Sequence, residues 1–188
     1  MKVIFLDHDG VICLSNNFGS RHKKQIKVRT KLTQSIKELP VDARFDNFDN
    51  KAIKVLNKIL EETGAEIVVS SDWKNWCSVE EMGDYYERQG IIKRPIDFTG
   101  NMIDGSKVTW YRNWDLEGTR SLEITEWLND HPEVTHWVAI DDLNMAKTGL
   151  HYGMEFEHEW GLENFVLTPN ENEGIKQVGI KEKVLSFL

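Results

Sequence analysis

The sequence predicts an α/β fold in which a parallel β-sheet is flanked by helices. Three short apolar runs, at residues 3–6, 65–69 and 136–140, are too brief for helices and end in polar residues. Such runs are typical of strands buried within a parallel sheet. A helical pattern at residues 53–60 leads into the second run through a short connection, which also favours parallel pairing.

Length and composition bound the rest of the interpretation. A chain of 188 residues can bury a sizeable core, and we expect a single domain over residues 1–188. No apolar run approaches the ~20 residues of a membrane span, and the N-terminus lacks the layout of a signal peptide. The two cysteines, Cys13 and Cys77, do not make a disulfide framework and fit a reducing cytoplasm. The net charge of −8 argues against a surface that coats nucleic acid, but it leaves local patches open.

The first predicted strand is followed by a pair of acids. Asp7 ends the apolar run, Asp9 follows two residues later, and Gly10 comes directly after. Ligands of open α/β sheets bind beyond the carboxyl ends of the strands, so both carboxylates can reach one small volume. One carboxylate could attack a substrate while the other moves a proton, and both could help to hold a hard cation. A lone motif of this kind also fits a surface loop with two solvated acids, so it needs partners elsewhere.

Residues 15–50 interrupt the α/β pattern. Residues 15–19 have the composition of a loop, and residues 21–31 carry six Lys or Arg, one His and no acid. Such a run is either a solvated helix face or mobile arm, or a binding surface placed next to the first strand. Pro40 and the polar stretch at residues 45–50 close the insertion.

Helical and strand patterns resume after the insertion. Asp49 or Asn50 can cap a helix whose apolar residues repeat at helical spacing, and Gly64 ends that helix. The second strand begins at once. A further helix is predicted over residues 79–89, with a strand near residues 96–99. Beyond that strand the pattern gives no prediction until the next helix.

The C-terminal part is predicted to complete the sheet and to end in a helix. Residues 121–129 have a helical pattern with Arg120 beside its start, and a short turn leads from there into the third strand. The remaining predictions are a strand at residues 165–167, a loop at 169–174 and a terminal helix at 175–188.

Hydroxyl or carboxylate side chains follow each of the three apolar strands. The second strand ends in Ser70 and Ser71, and the third in Asp141 and Asp142. With the Asp-x-Asp-Gly motif after the first strand, these residues match in order and spacing the motifs of the haloacid dehalogenase superfamily, which the sequence therefore resembles. The resemblance implies a Rossmann-like fold with a small cap or flap insertion after the first strand, here residues 15–50.

Further stretches resemble a subgroup of that superfamily. They read TGAEIVVSSDWK, then Arg120 with SLEITEWLNDHPEVTHWVAIDD, then FVLT followed by EGI. Together they resemble the phosphatase-type domains of RNA-repair proteins and are similar to the 3′-phosphatase halves of phage polynucleotide kinase-phosphatases. His8 within the first motif and Lys74 in place of an arginine depart from that pattern, although neither exchange forbids the chemistry.

The resemblance implies a phosphomonoester hydrolase that works through an aspartyl-phosphate. Asp7 would be the nucleophile, and Asp9 would protonate the leaving oxygen and then activate water. Because a phosphate dianion repels a carboxylate, a cation must offset both charges, and Mg²⁺ suits a site made of oxygens. Its predicted ligands are Asp7, Asp9 through its backbone carbonyl, Asp142 and the neighbouring Asp141.

The phosphoryl group also needs a hydroxyl donor and a protein cation. Ser70, or Ser71 in its place, would bind the phosphoryl oxygens. Arg120 is the first candidate for the cation, and Lys74 and Lys107 are its rivals. The alternative for Arg120 is an ordinary arginine on a helix surface.

The basic run beside the first motif favours a polyanionic substrate. A small phosphate would not need so many cations, whereas a nucleic-acid strand approaching an acidic protein would. Together with the resemblance to 3′-phosphatase domains, which implies the kind of end, this run leads us to expect RNA or DNA 3′-phosphate ends as substrates. A nucleotidase or other small-molecule phosphatase is one alternative, and a catalytically silent binding module is another. The predicted substrate-binding residues are Gly10, Ser71, Lys74, Lys23, Lys24, Lys27 and Arg29.

Overall fold

The structure, a computed structural model, describes residues 1–15, 39–100, 116–151 and 153–188, without the side chain of His151. Its strands are β1 (Lys2–Leu6), β2 (Glu66–Val69), β3 (Pro95–Phe98), β4 (His136–Asp141), β5 (Thr148–His151), β6 (Met154–Glu157) and β7 (Phe165–Leu167). Five of them form a parallel sheet in the order β3–β2–β1–β4–β7, and β5 and β6 form a separate antiparallel hairpin. The α/β fold with a parallel sheet is therefore confirmed.

The helices of the described ranges are α1 (Val41–Arg44), α2 (Asn50–Thr63), α3 (Val79–Gln89), α4 (Leu116–Asp130) and α5 (Ile180–Leu185). The predicted boundaries of α2 are confirmed. The Asp49 carboxylate accepts hydrogen bonds from the first backbone N–H groups of α2, and Gly64 ends the helix at a φ of 69°. Two 3₁₀ turns, Asp72–Trp76 and Gly174–Lys176, complete the regular structure.

Alternating side chains of the central strands build a core on each face of the sheet. Ile4 and Leu6 pack with the apolar residues of α2 and α3 on one face. Val3 and Phe5 pack with Ile124 and other residues of α4 on the opposite face. This alternation follows from the two-residue period of a strand, and it makes β1 buried on both faces.

The strand order brings the ends of β1, β2 and β4 together at one edge. β1 lies between β2 and β4, and the ladder continues past the strands through two more hydrogen bonds. The Asp7 N–H donates to the Ile140 carbonyl at 3.1 Å, and the Ser70 N–H donates to the Leu6 carbonyl at 3.1 Å. The first residues after these strands therefore lie side by side.

The predicted terminal helix at residues 175–188 is wrong in its first part. The chain makes a 3₁₀ turn at Gly174–Lys176, and α5 begins at Ile180. Gln177 adopts an extended backbone, with φ −57° and ψ 140°, and Gly179 has a φ of 87°. Both conformations interrupt a helix, so only Ile180–Leu185 is α-helical.

Two further regions differ from the sequence-based description. Strands β5 and β6 occupy a stretch without a sequence-based prediction, and α4 includes Arg120 instead of starting after it. In the predicted insertion, residues 39–50 pack on the main domain, because Phe45 and Phe48 belong to its core. Residues 16–38 lie outside the described residues, so the cap or flap remains a prediction.

No helix in the described part of the chain is long and apolar enough to cross a membrane.

Candidate active site at the carboxyl edge of the sheet

The Asp7–Gly10 segment leaves β1 through a tight turn built on one carbonyl. The His8 carbonyl accepts hydrogen bonds from the N–H groups of Val11, Ile12 and Cys13, at 3.2, 3.0 and 2.7 Å. This turn leaves Asp7 directly after the strand, where its side chain is only 2% exposed. A nearly fully buried carboxylate needs a charge or hydrogen-bond partner.

The Asp7, Asp141 and Asp142 carboxylates converge from neighbouring strands. One oxygen from each lies within 4.8 Å of the others. Asp141 is fully buried at the end of β4, and its Oδ1 accepts a hydrogen bond of 2.8 Å from the Leu143 N–H. The predicted convergence of Asp7 with the two later acids is therefore present in the structure.

Gly10 makes room for the third acid. Its φ is 71°, and a Cβ built on Gly10 would lie 2.2 Å from Asp142 Oδ2. A side chain at position 10 would therefore displace the Asp142 carboxylate as well as strain the backbone. The Gly10 carbonyl accepts a hydrogen bond of 3.2 Å from the Thr168 hydroxyl, and the predicted role of Gly10 in substrate binding stays a prediction.

Arg120 reaches the acids from α4. Its Nη1 lies 3.2 Å from Asp7 Oδ1 and 2.9 Å from Asp141 Oδ2, and its side chain is 11% exposed. Nη2 lies 3.4 Å from Asp72 Oδ1, whose side chain is largely exposed. Arg120 is therefore a buried guanidinium within the acidic cluster and not a surface arginine.

The acids of the cluster are difficult to ionise together. Burial raises the pKa of Asp7 well above its ordinary value, and Asp141 raises it further, while Arg120 opposes the shift. Burial also raises the pKa of Asp141. Burial and the adjacent Asp141 raise the pKa of Asp142 to about 6. The Arg120 guanidinium would lose affinity for its proton through burial, but Asp141 and Asp7 raise its pKa overall. Arg120 therefore remains charged and offsets only part of the acidic charge.

Ser70 and Ser71 follow β2 but differ in their contacts. The Ser70 hydroxyl is buried and has no hydrogen-bond partner among the described residues. The Ser71 hydroxyl accepts a hydrogen bond of 3.5 Å from the Trp73 N–H at the start of the 3₁₀ turn. Of these two hydroxyls, Ser70 is thus the one left to bind a substrate oxygen.

Lys74 lies in a buried ion pair beside the acidic cluster. Its ammonium donates to the Thr99 hydroxyl at 2.9 Å, to the Gly100 carbonyl at 3.0 Å, and to the Glu123 carboxylate. Burial lowers the pKa of Lys74, and the pair with Glu123 opposes this shift. The three N–H donors of the Lys74 ammonium are all used within the protein. Of the candidate cations in the described part of the chain, Arg120 is therefore the one that contacts the Asp7 carboxylate.

His8 sits beneath the turn in an aromatic setting. His8 Nε2 and the Tyr86 hydroxyl share a hydrogen bond of 2.6 Å, and the imidazole is fully buried. Burial and the positive charge of Arg120 lower the pKa of His8 to about 3. His8 is therefore neutral at physiological pH and has a packing role at the second position of the motif.

A tryptophan contact to Asp9 is a site feature that the sequence did not reveal. The Trp73 indole Nε1–H donates to Asp9 Oδ2 at 3.0 Å. The two residues are 64 positions apart, and the sequence pattern assigns no role to Trp73. Polar residues that follow apolar runs can be recognised in the sequence as candidate site residues. The contact between the Trp73 indole and Asp9 cannot be recognised in this way, because it depends on the tertiary fold.

Several predicted residues lie outside the described part of the chain. They are Lys23, Lys24, Lys27 and Arg29 of the basic run and the rival cation Lys107. Their predicted contacts with substrate stay predictions.

The donor set of the acidic cluster fits a hard divalent cation. Asp7, Asp141 and Asp142 supply carboxylate oxygens that converge on one another, and Mg²⁺ prefers oxygen ligands. The raised pKa values of these acids and the absence of a Cβ at Gly10 also fit a place where additional positive charge binds.

A parallel sheet with an Asp-x-Asp-Gly turn, a buried serine and paired aspartates at one edge defines a phosphatase-type domain of the haloacid dehalogenase superfamily. Residues 3–177 match the family model for the HAD domain in Swiss Army Knife RNA repair proteins, and the chain belongs to this family. No curated protein and no solved structure matches the chain.

Proposed function

We propose that this protein is a Mg²⁺-dependent phosphomonoester hydrolase that acts on nucleic-acid 3′-phosphate ends through an aspartyl-phosphate. The observation that carries the proposal is the convergence of Asp7, Asp141 and Asp142 around the Arg120 guanidinium, at the edge where β1 and β4 end. Perturbed acids in a buried, charged cluster are typical of catalytic sites. Membership of a phosphatase-type family supports the reaction class.

Asp7 serves as the nucleophile in the first half of the reaction. One of its oxygens bonds to phosphorus while the bond between phosphorus and the ester oxygen breaks. Asp9 gives its proton to that oxygen, and the product leaves as an alcohol. In the second half, the ionised Asp9 takes a proton from water, and the water oxygen attacks phosphorus while the bond between phosphorus and the Asp7 oxygen breaks. Inorganic phosphate is released, and both aspartates return to their starting states.

Asp7 and Asp142, with Asp141 beside them and the backbone carbonyl of Asp9, would hold Mg²⁺. When bound, the cation offsets the repulsion between a phosphate dianion and the Asp7 carboxylate. Ser70 is assigned to a phosphoryl oxygen because its buried hydroxyl has no partner within the described ranges. Arg120 balances part of the cluster's negative charge and favours the ionised form of the Asp7 carboxyl.

The nucleic-acid end is the proposed substrate class for two reasons. The family is described from RNA repair proteins, and the chain carries six Lys or Arg within residues 21–31 despite a net charge of −8. Cationic segments contact phosphates along a strand without reading bases. In this proposal, Lys23, Lys24, Lys27 and Arg29 guide the strand towards Asp7. Cys13 and Cys77, both within the described ranges, form no disulfide bond, which supports the proposed cytoplasmic site of action.

Substrate comparison tests the proposal. Phosphate release is measured with p-nitrophenyl phosphate, a nucleoside monophosphate and a 3′-phosphorylated oligonucleotide in the presence of Mg²⁺. We expect the highest kcat/KM with the oligonucleotide. A preference for the nucleoside monophosphate would favour a nucleotidase, and no release from any of the three would favour a binding module.

A second arm tests the basic run with charge reversal. Replacement of Lys23, Lys24 and Lys27 by Glu should raise KM for the oligonucleotide and leave p-nitrophenyl phosphate hydrolysis unchanged. Oligonucleotide affinity should also fall steeply with salt, because phosphate contacts release counterions. Equal responses of both substrates, or no response, would contradict a strand-guiding role.

A further inference from the structure

The Trp73 indole makes a directed contact with the proposed acid–base residue. Its Nε1–H donates to Asp9 Oδ2 at 3.0 Å, while the Trp73 side chain is almost completely buried. An indole nitrogen is a donor only, and a hydrogen bond to a carboxylate is stronger than one to a neutral acceptor. The contact therefore restrains one oxygen of Asp9.

Aromatic rings from another segment fix the position of the indole. The Phe45 ring stacks on Trp73 with centroids 4.6 Å apart and an interplanar angle of 5°. The Phe48 ring stacks at 5.5 Å and 17°, and the His8 imidazole lies tilted at 4.7 Å. The backbone is held as well, because Ser71 caps the 3₁₀ turn that carries Trp73. The indole N–H is thus held in place before any substrate binds.

We propose that Trp73 is a positioning residue for Asp9, an inference that rests on the proposed phosphatase function. The indole can only donate, and the carbonyl oxygen of a carboxylic acid accepts more strongly than its hydroxyl oxygen. The contact therefore favours Oδ2 as the carbonyl oxygen and Oδ1 as the oxygen that carries the proton of the acid form. The hydrogen bond thereby selects which oxygen protonates the leaving group and fixes the rotation of the carboxyl. A proton donor in a fixed orientation is a known source of rate enhancement.

Trp127 provides a matched comparison within the same chain. Its indole Nε1–H donates to Asp97 Oδ2 at 2.7 Å, and its side chain is also mostly buried. It packs in the core on the opposite face of the sheet from Trp73, with Val3 and Phe5. Loss of the indole–carboxylate hydrogen bond at Trp127 therefore measures the effect of removing such a contact when it has only a structural role. That effect is the baseline for the effect of the same change at Trp73.

The test compares two phosphate esters with Trp73→Phe and Trp127→Phe. An alkyl phosphate needs the acid because its alkoxide is a poor leaving group, whereas p-nitrophenolate leaves without a proton. The quantity measured is kcat/KM, which reports the steps through leaving-group release. We expect the ratio of kcat/KM for the alkyl ester to that for the p-nitrophenyl ester to fall by about tenfold or more in Trp73→Phe. Because both esters are assayed on one sample, the ratio does not depend on the folded fraction.

The control and a double mutant decide the outcome. Trp127→Phe should leave the ratio unchanged. In an Asp9→Asn background, Trp73→Phe should change it by less than about twofold, because the residue through which it acts is already lost. If Trp73→Phe does not fold, 3-benzothienylalanine at position 73 keeps the ring size and removes the N–H. An unchanged ratio in an active enzyme overturns this inference alone, and a parent protein inactive on both esters overturns the proposed function with it.

Discussion

Two buried ion clusters lie side by side at the carboxyl edge of the sheet, and α4 contributes a residue to each. In one, the Lys74 ammonium meets the Glu123 carboxylate, and both side chains are 5% exposed. The remaining Lys74 donors reach Thr99 and Gly100. In the other, the Arg120 guanidinium contacts Asp7 and Asp141 while Asp142 lies close by.

The clusters differ in charge balance. Lys74 and Glu123 form a buried ion pair of opposite charges, which holds α4 against the 3₁₀ turn. Around Arg120 the acids outnumber the cation within the described residues, and burial raises the pKa values of Asp7, Asp141 and Asp142. A balanced buried pair is a structural contact, whereas an excess of buried acids is stable only if protons or another cation neutralise it. Substitutions in the Lys74–Glu123 pair should therefore affect stability, and substitutions in the cluster around Arg120 should affect activity.

The largest effect is expected for Asp7→Asn in the unbalanced cluster. An amide cannot form the acyl-phosphate, so kcat for p-nitrophenyl phosphate should fall by at least about 10⁴-fold. The fold should persist, because the change is nearly isosteric and relieves repulsion among the acids. Steady-state kinetics and circular dichroism measure the two properties. Activity within tenfold of the parent would refute Asp7 as the nucleophile.

Glu123→Gln should instead affect stability. It leaves the Lys74 ammonium buried without its counter-charge, which costs about 3–5 kcal/mol of unfolding free energy. Catalysis by the folded fraction should remain within a few-fold of the parent, because Glu123 pairs with Lys74, whereas the cation that pairs with Asp7 is Arg120. Glu163→Gln is the control, since it breaks the exposed pair with Lys147 and should leave the denaturant midpoint unchanged. Loss of kcat without loss of stability in Glu123→Gln would place the balanced pair within the catalytic machinery.

Gly10→Ala tests the effect of adding a single Cβ atom next to the Asp142 carboxylate. Gly10 and Gly64 have φ values of 71° and 69°, but only at Gly10 does a Cβ meet Asp142, because nothing lies within 4 Å at Gly64. Both alanine variants should lose about 1 kcal/mol of stability from the left-handed backbone. Only Gly10→Ala should also raise the Mg²⁺ concentration needed for half-maximal activity. Equal Mg²⁺ requirements in the two variants would mean that Asp142 is not a ligand.

The smallest effect is a pH dependence of stability in the metal-free protein. The pKa of Asp142 is raised to about 6 in the fold, so the folded state binds this proton more tightly than the unfolded chain does. Its contribution is fully present below the ordinary pKa of an aspartate and is lost as pH rises through the folded value, so Tm after chelation should decline between about pH 4 and pH 6. Mg²⁺ should reverse the decline, and Asp142→Asn should show a shallower one. Identical slopes in the parent and in Asp142→Asn would contradict the raised pKa.

The sheet and the acids could be predicted from the sequence because their signals are local. The apolar runs of β1, β2 and β4 are short, and each is followed by polar residues. The length of these runs and the position of the polar residues are sufficient to predict the strands and the residues at their ends. The parallel order then brings Asp7 and Asp141 together with no further information. Arg120 was also found in sequence, since it stands at the start of a helical pattern beside these strands.

Other features depend on contacts that the sequence does not display. The indole contact to Asp9 joins residues 64 positions apart, and the partner of Lys74 lies 49 positions away. The hairpin of β5 and β6 was missed because its strands carry no buried apolar stripe; β6 is mostly exposed. The terminal helix was extended too far because the left-handed conformation of Gly179 interrupts an otherwise helical composition.

The most direct test of the central claim is phosphate release as Mg²⁺ is titrated into exhaustively chelated protein. The unbalanced acids around Arg120 predict no turnover of p-nitrophenyl phosphate without metal and a saturable recovery with Mg²⁺. Ca²⁺ should bind in competition without supporting turnover, because its looser coordination misaligns the nucleophile. Full activity after chelation would show that Arg120 alone balances the cluster, and it would contradict a metal-dependent mechanism.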